Sequence, residues 1–466
     1  MRFLMKFGGT SVADADSLSR TVDIIEEHHR AGHELAVVVS AQRGVTDQLI
    51  AIAQEIADSR SSATIGPFIN SLRLRHMKVL SEVAGDCEGE VGDQIEERLC
   101  NLENILNAVH NLRELTPRSL DYIITFGERL NSLVVSAAIR QRSIPSMVMD
   151  GCEAGILTTP QHGEAMALPE SEGRIRSRIQ PLLTEMVPVV MGFMGCTDKG
   201  VVTTLGRSGS DYSAAVLGAG ICADEIWIWT DVDGIMTSDP RLIPDARVLP
   251  TISYLEVMEL SYFGAKVMHP RSIEPAMKKN ILVRVKNTFN PTHPGTSIVW
   301  HEKRDSRVVK ALTYIDKVAL INICGAQMIG RPGVAKAIFS ALADKEVNVM
   351  MISQGSSEAN ISLIVEESQA GIAIDSLAGL VRQGLIREAT ANRDVCAVAV
   401  VGVGMAGAKG TGGRIFTALG NGGVNVMMIS QGSSEVNISF VVRQEDGPKA
   451  VRILHDEFRL SEEDDA

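Results

Sequence analysis

No Cys-x-x-Cys pair occurs in this chain. Its seven cysteines (87, 100, 152, 196, 222, 324 and 396) are odd in number and far apart. That argues against a zinc knuckle and against a disulfide framework, and predicts free thiols in a reducing compartment. Long apolar runs are also missing. The first one is interrupted by Lys6, and the longest later one, Val395 to Ala408, falls short of the roughly 18 residues a membrane helix needs, so a cytoplasmic protein without membrane contact is expected. Basic stripes are absent too: the formal net charge is −12, and nucleic acid is not an expected partner. With 16 Pro and no low-complexity tract, disorder is expected only around the acidic cluster Glu462 to Asp465. The dipeptide Gly-Lys never occurs, which rules out a Walker A loop, and the motif set of the protein kinases is missing. No His and Cys cluster has metal-ligand spacing, so no metal held by the protein itself is expected.

What is present is an α/β pattern. At 466 residues with 45% hydrophobic side chains, the chain can fill two or three domain cores. Strand-like runs at Phe3–Phe7, Leu35–Val39, Ser146–Met149, Val187–Met191, Val201–Thr204 and Glu225–Trp229 alternate with helical patterns, which predicts a mainly parallel sheet between helices, with ligands at the strand ends. Between Pro67 and Arg142 the pattern is wholly helical. Ile95, Leu99, Leu102, Ile105, Leu106 and Val109 mark one face, read as a helical excursion capping a sheet edge. Asn290 to Gly295 (NPTHPG) reads as a linker followed by a strand and a charged stretch, His301 to Arg307.

Beyond that point the chain repeats itself. Val347 to Ser362 recurs as Val424 to Ser439 with a single change, Ala359 against Val436. At the same offset Gly333, Ile338, Phe339, Ala341 and Leu342 match Gly410, Ile415, Phe416, Ala418 and Leu419, so a small domain is present twice. Gly402-x-Gly404-x-x-Gly407 inside the second copy imitates a dinucleotide fingerprint. It is rejected, because no acidic residue follows at the ribose position and the first copy carries Gly325 and Gly330 in the equivalent place.

Glycines with chemistry lie at the other end. Lys6-Phe7-Gly8-Gly9-Thr10-Ser11 follows the first strand and offers backbone N–H groups, a cation and hydroxyls to an anion. Leu205 to Asp211 (LGRSGSD), Thr230 to Met236 (TDVDGIM), Asp239-Pro240-Arg241 and Phe263 to Pro270 (FGAKVMHP) each fall near the end of a predicted strand. Together they gather Lys, Arg and Asp as a nucleotide, a metal ion and an anionic acceptor would require.

In this order the motifs, with Phe126-Gly127-Glu128, resemble those of aspartate kinase in the amino-acid kinase family, over essentially the whole length. The repeats look like that family's two ACT domains. The resemblance implies an amino-acid kinase fold, a mainly parallel sheet sandwiched by helices, over 1–300. It also implies two ferredoxin-like α+β ACT domains at 315–388 and 395–466, with a strand supplied from 308–313. The implied reaction transfers the ATP γ-phosphoryl group to the side-chain carboxylate of L-aspartate, the entry step to lysine, threonine and methionine synthesis, with Mg²⁺ carried by the nucleotide. A carboxylate acceptor is already ionised at neutral pH, so holding two anions in line and neutralising charge suffices.

Residue by residue, the resemblance makes Lys6 and Asp211 catalytic, Asp211 orienting Lys6. Thr46, Glu128, Arg207 and Ser210 bind the acceptor, Arg207 clamping its α-carboxylate. Lys6, Gly8, Gly9, Thr10, Ser11, Thr230, Asp231, Met236, Arg241, Lys266 and Val267 bind ATP. Ser208 departs from the family's usual glycine and Met236 from its frequent aromatic residue. At this level Lys6→Ala is expected to lower kcat by several orders of magnitude and leave the melt nearly unchanged. Ile352, Gln354, Ile429 and Gln431 would bind an amino-acid effector, threonine ahead of lysine because no acidic residue stands at the Gln position. A homodimer through the ACT domains is implied, with a dimer of dimers as the larger alternative. The rivals are another amino-acid kinase and a catalytically silent amino-acid-binding regulator; the chain's end soon after the second repeat is read as leaving no room for a fused homoserine dehydrogenase. His28 and His29 read as solvated, His269 as a structural contact, and Trp227 and Trp229 as sheet-face packing.

Overall fold

The computed structural model describes residues 1–59, 61–264, 268–300, 307–325, 328–355 and 359–462. Of the sequence features above, Lys266, Val267, most of the charged stretch from 301, Ser356 to Glu358 of the first repeated loop and the acidic residues after Glu462 lie outside the described residues. The chain divides into two compact units: Met1–Ile235 with Pro250–Tyr254 and Met268–His301, and Met236–Leu249 with Leu255–Val267 and Glu302–Ala466.

The first unit is built on an eight-stranded sheet. Its strands are β1 (Arg2–Phe7), β2 (Glu34–Val39), β3 (Ser146–Met149) and β4 (Val187–Met191). A separate ribbon, β5 (Met194–Cys196) with β6 (Val202–Thr204), follows, and the sheet resumes with β7 (Glu225–Thr230), β8 (Thr251–Ser253), β9 (Leu282–Asn287) and β10 (Thr296–Val299). The order is β3-β4-β2-β1-β7-β9-β10-β8. All pairings are parallel except β9 with β10, as expected for strands buried on both faces.

One face carries Phe3, Met5, Phe7, Leu35, Val37, Val39, Val187 and Val189. It shares a single core with the helices Ile65–Val83, Glu88–Leu112 and Phe126–Gln141. The helical excursion therefore covers a face of the sheet, where its Ile95, Leu99, Leu102, Leu106 and Val109 are buried, and does not cap an edge. On the opposite face the helix Gly209–Gly220 presses close: a Cβ at Gly218 would lie 2.5 Å from Ile226 Cδ1.

Four further expectations change in this unit. The NPTHPG segment is the turn of the antiparallel β9–β10 hairpin, inside the sheet, and not a linker between domains. Val202–Thr204 stays out of the main sheet and pairs antiparallel with Met194–Cys196. Cys152 and Cys196 are bonded to one another, so five cysteines are free and not seven. The reason is local: the Cys196 N–H donates to Ile156 O (3.1 Å) and the Thr158 N–H to Cys196 O (2.8 Å), which brings the two Cα atoms to 5.3 Å. His28 is not a solvated side chain. Its ring lies 4.7 Å from Trp227 and 5.9 Å from Phe3, and burial lowers its pKa.

The second unit holds both repeats. Its strands are β11 (Ala311–Ile315), β12 (Val318–Cys324), β13 (Val349–Gln354), β14 (Asn360–Glu366), β15 (Glu388–Asn392), β16 (Val395–Val401), β17 (Met428–Gln431) and β18 (Asn437–Arg443). They form two four-stranded antiparallel sheets, β13-β14-β12-β15 and β11-β16-β18-β17. Each sheet covers its own core, one around Ile338, Leu342, Leu363 and Leu377, the other around Ile415, Leu419, Phe440 and Leu454. The glycines of the false dinucleotide motif serve packing. A Cβ on Gly402 would meet Val308 O, and one on Gly404 would meet Arg307 O, each at 2.5 Å.

Candidate functional site

Where β1, β2 and β6 end in the first unit, the chain opens a cavity of about 910 Å³. Lys6 is the penultimate residue of β1, buried to 9% exposure, and its Nζ lies 2.6 Å from Asp211 Oδ1. Asp211 sits in the first turn of the helix Gly209–Gly220, 8% exposed, where the helix dipole favours a carboxylate. The residue before that helix, Ser208, has left-handed backbone (φ 53°), which explains why glycine is the easier choice there.

The glycine loop is tied down on both sides. The Gly8 N–H donates to Trp229 O (3.1 Å) and the Arg43 N–H to Gly9 O (3.2 Å). A Cβ at Gly9 would lie 2.8 Å from Ala41 O, so only glycine allows the two segments to approach. Ser11 is turned inward. Its hydroxyl pairs with Thr288 Oγ1 at 2.8 Å in a fully buried position, so it is not presented to the cavity.

Glu128 enters from the helix Phe126–Gln141 and is 3% exposed. One carboxyl oxygen accepts the Ala41 N–H at 3.0 Å, and the other has no hydrogen-bond partner among the described residues. Burial raises its pKa to about 8, a shift that its hydrogen bonds and Lys6 only partly oppose. The folded protein thus keeps a proton that the unfolded chain loses near its ordinary value of 4.5. Stability contributed at this position falls as pH rises from about 4.5 to about 8 and is level beyond. Glu128→Gln should flatten that decline by on the order of 2–4 kcal/mol. Thermal melts of both proteins at pH 5 and pH 8.5 measure it, and parallel curves would refute it.

The cavity brings together Lys6, Gly9, Thr46, Glu128, Arg207, Ser210 and Asp211. Arg207 is exposed, with no ion-pair partner among the described residues, and also lines a second cavity of about 110 Å³ with Tyr212 and His269. Gly8, Thr10, Thr230 and Asp231 lie in the same unit but do not line the large cavity; the Thr230 hydroxyl donates to Asp231 at 3.2 Å. Met236 and Arg241 fall in the second unit, where Arg241 is bound to Asp239 at 3.0 Å. Sequence reasoning missed Arg43, Asp121 and His162, all of which line the cavity. Only the short polar stretch from Thr158 to Glu164 hinted at His162, and nothing local marked Asp121. No group of three or more His, Cys, Asp or Glu among the described residues is arranged to hold a metal ion. Nor is any of their helices long and apolar enough to cross a membrane.

In the second unit, Gln354 lines a cavity of about 330 Å³ with Met328, Arg331, Gly333, Val334 and Ile361. Ile352, Ile429 and Gln431 are not among its lining residues. Ile352 and Ile429 are exposed, and the Ser430 hydroxyl donates to Ile352 O at 3.2 Å, which joins β17 to β13.

The chain is similar to known proteins over nearly its full length. Residues 1–287 match the amino acid kinase family, and residues 321–379 and 398–458 match the ACT domain. The bifunctional aspartokinase/homoserine dehydrogenase 1 of Zea mays is 35% identical over 98% of this chain, which spans 50% of that relative. Aspartokinase 1 of Arabidopsis thaliana is 32% identical over 98% of this chain and 80% of its own length. The structure of E. coli aspartokinase III in complex with aspartate and ADP superposes with a TM-score of 0.82 at 28% identity, covering 98% of this chain and 99% of that one. The same enzyme with lysine and aspartate gives 0.79, with the same coverage. The chain therefore spans about half the length of the bifunctional relatives it matches.

Proposed function

The chain belongs to the amino acid kinase family, with ACT domains after the catalytic part, and on that ground we propose that it is an aspartokinase working in the cytoplasm. The observation that carries this reading is the unpartnered oxygen of buried Glu128 in the same cavity as Arg207 and Lys6. An arriving ammonium favours the ionised form of Glu128, displaces the proton that burial holds there and satisfies that oxygen, and the cations suit two carboxylates. That pattern matches a free dicarboxylic amino acid, and the E. coli relative is known bound to aspartate and ADP.

Arg207 holds the α-carboxylate, Glu128 the amine, and Thr46 and Ser210 complete the acceptor site. An oxygen of the side-chain carboxylate attacks the γ-phosphorus of ATP; the bond from that phosphorus to the bridging oxygen breaks, and the electron pair leaves with ADP. Lys6, held by Asp211, neutralises the transferred group, and Mg²⁺ arriving with the nucleotide shares that task. Gly8, Gly9, Thr10, Thr230 and Asp231 serve the nucleotide side. The close approach allowed by Gly9 is what a phosphate cradle requires. The product is 4-phospho-L-aspartate, on the way to lysine, threonine and methionine. The catalytic part is taken as 1–300 and the ACT domains as 315–388 and 395–466, through which the chain dimerises.

Threonine is the proposed effector. Among the described residues that line the Gln354 cavity none is acidic, so a lysine ammonium finds no carboxylate there, whereas Gln354 and backbone groups suit a hydroxyl, an amine and a carboxylate. An ADP-release assay with L-aspartate, run with threonine, lysine, methionine and lysine plus threonine in turn, tests both levels. Turnover with aspartate and inhibition by threonine that Gln354→Ala weakens at least tenfold are expected. Turnover with glutamate alone would overturn the acceptor, and inhibition by lysine without threonine the effector.

A further inference from the structure

Asp121 is a buried carboxylate with an unusual number of donors. It lies on the helix Pro117–Ile124 at 1% exposure. Its oxygens accept the Gly163 N–H at 3.0 and 3.2 Å, the Thr204 N–H at 3.2 Å and the Thr204 hydroxyl at 2.5 Å, and lie 2.6 Å from His162 Nδ1. Because backbone N–H groups can only donate, the carboxylate is the acceptor throughout. The hydrogen on the imidazole therefore points from Nδ1 to Asp121, which fixes the tautomer as a carboxylate commonly does behind a working histidine. Nε2 is the ring nitrogen left over. It makes no hydrogen bond among the described residues, and His162 lines the large cavity beside Arg207, Thr46 and Lys6. Asp121 binds, in addition, the end of β6, three residues before Arg207.

We propose that His162 is a further acceptor-binding residue: with Nδ1 held by Asp121, it carries a second proton on Nε2 and donates it in a hydrogen bond to a carboxylate of the bound amino acid. The inference rests on the aspartate reading and adds a ligand to it. Asp121 is the carboxylate behind the ring, and the acceptor's carboxylate is a second one in front of it, an arrangement suited to a ring that offers a hydrogen from each nitrogen. Without that proton Nε2 would present a lone pair to an anion. The site thus gains a short, rigidly aimed donor where the long Arg207 side chain alone would be free to swing.

The test separates contact from scaffolding by geometry. His162→Gln places an amide N–H near Nε2, and His162→Asn places one near Nδ1, toward Asp121. His162→Phe keeps the ring and removes both nitrogens. For the Phe and Asn variants, KM for L-aspartate should rise roughly tenfold to a hundredfold, as loss of a charge-assisted hydrogen bond implies, with kcat and KM for ATP within about twofold; Gln should recover part of the loss. Calorimetric titration with L-aspartate reads the same contact without turnover. If Asn restores KM and Gln does not, His162 is only a strut for its loop and the proposal falls. It also falls if the wild-type protein turns over aspartate and all three variants keep its KM and its dissociation constant. A wild-type protein that neither binds nor turns over aspartate overturns the aspartate reading itself, and this inference with it.

Discussion

Replacing Lys6 with Met is expected to lower kcat by about a thousandfold or more, the loss seen when one preorganised electrostatic group is removed from a transition state. The structure adds a second consequence that the sequence did not show. Lys6 and Asp211 are both about nine-tenths buried and 2.6 Å apart, so deleting the lysine strands a carboxylate in the interior. Breaking a buried pair at one end costs about 3–5 kcal/mol, and the melt should therefore drop by several degrees at neutral pH. The expectation of an unchanged melt for Lys6→Ala is corrected accordingly. The decisive comparison is the double variant Lys6→Met with Asp211→Asn. It removes both charges, should recover most of the lost melting temperature, and should stay as inactive as the single variant. Recovery of activity within tenfold of wild type would take Lys6 off the phosphoryl group.

Arg207→Ala should raise KM for L-aspartate by about two orders of magnitude with a much smaller change in kcat. Truncating one side of a hydrogen-bonded charge pair costs roughly 2–5 kcal/mol. Arg207 is exposed and unpaired among the described residues, so little stability is at stake and the loss belongs to binding. Arg207→Lys should recover only a fraction, since one ammonium does not reproduce the planar fork that meets both carboxylate oxygens. Steady-state kinetics with aspartate varied at saturating ATP measures this. An unaltered KM in the Ala variant would remove Arg207 from the acceptor site.

Periodicity was a good guide wherever burial is uniform along a strand. Leu35 to Val39 and Val187 to Met191 are apolar from end to end, and Phe3 to Phe7 is so but for Lys6, because they pack on both faces, and they appear where the sequence puts them. It failed where a short segment owes its place to its pairing partner and not to its own residue pattern. Val202–Thr204 looks like its neighbours but pairs with Met194–Cys196, and Pro291 and Pro294, read as linker signals, sit in a hairpin turn. The disulfide partners Cys152 and Cys196 are brought together by a strand edge that no spacing rule anticipates.

The site divides in the same way. Lys6, Gly9, Arg207 and Asp211 stand in or directly beside glycine-rich turns that advertise themselves, because close backbone approach demands glycine. Glu128 was legible only through the resemblance. Asp121 was not legible and His162 barely so: their meaning lies in a contact between a helix and a loop 41 positions apart. Ser11 is the opposite case, a hydroxyl in a promising motif that pairs with Thr288 inside the core.

The position of β11 governs how the second unit can be made. β11 pairs with β16, yet the whole of β12 to β15 is translated between them. The first ACT domain is thus a guest inserted into its sibling, and the host sheet consists of β11 alone until β16 has left the ribosome. During that interval β11 is an unprotected edge, with Val309 and Leu312 exposed beside it, and a chain stalled after Asn392 would carry that sticky edge permanently. The two domains are therefore not interchangeable cassettes. The first can be lifted out as one continuous piece, whereas the second exists only as two pieces rejoined across its sibling.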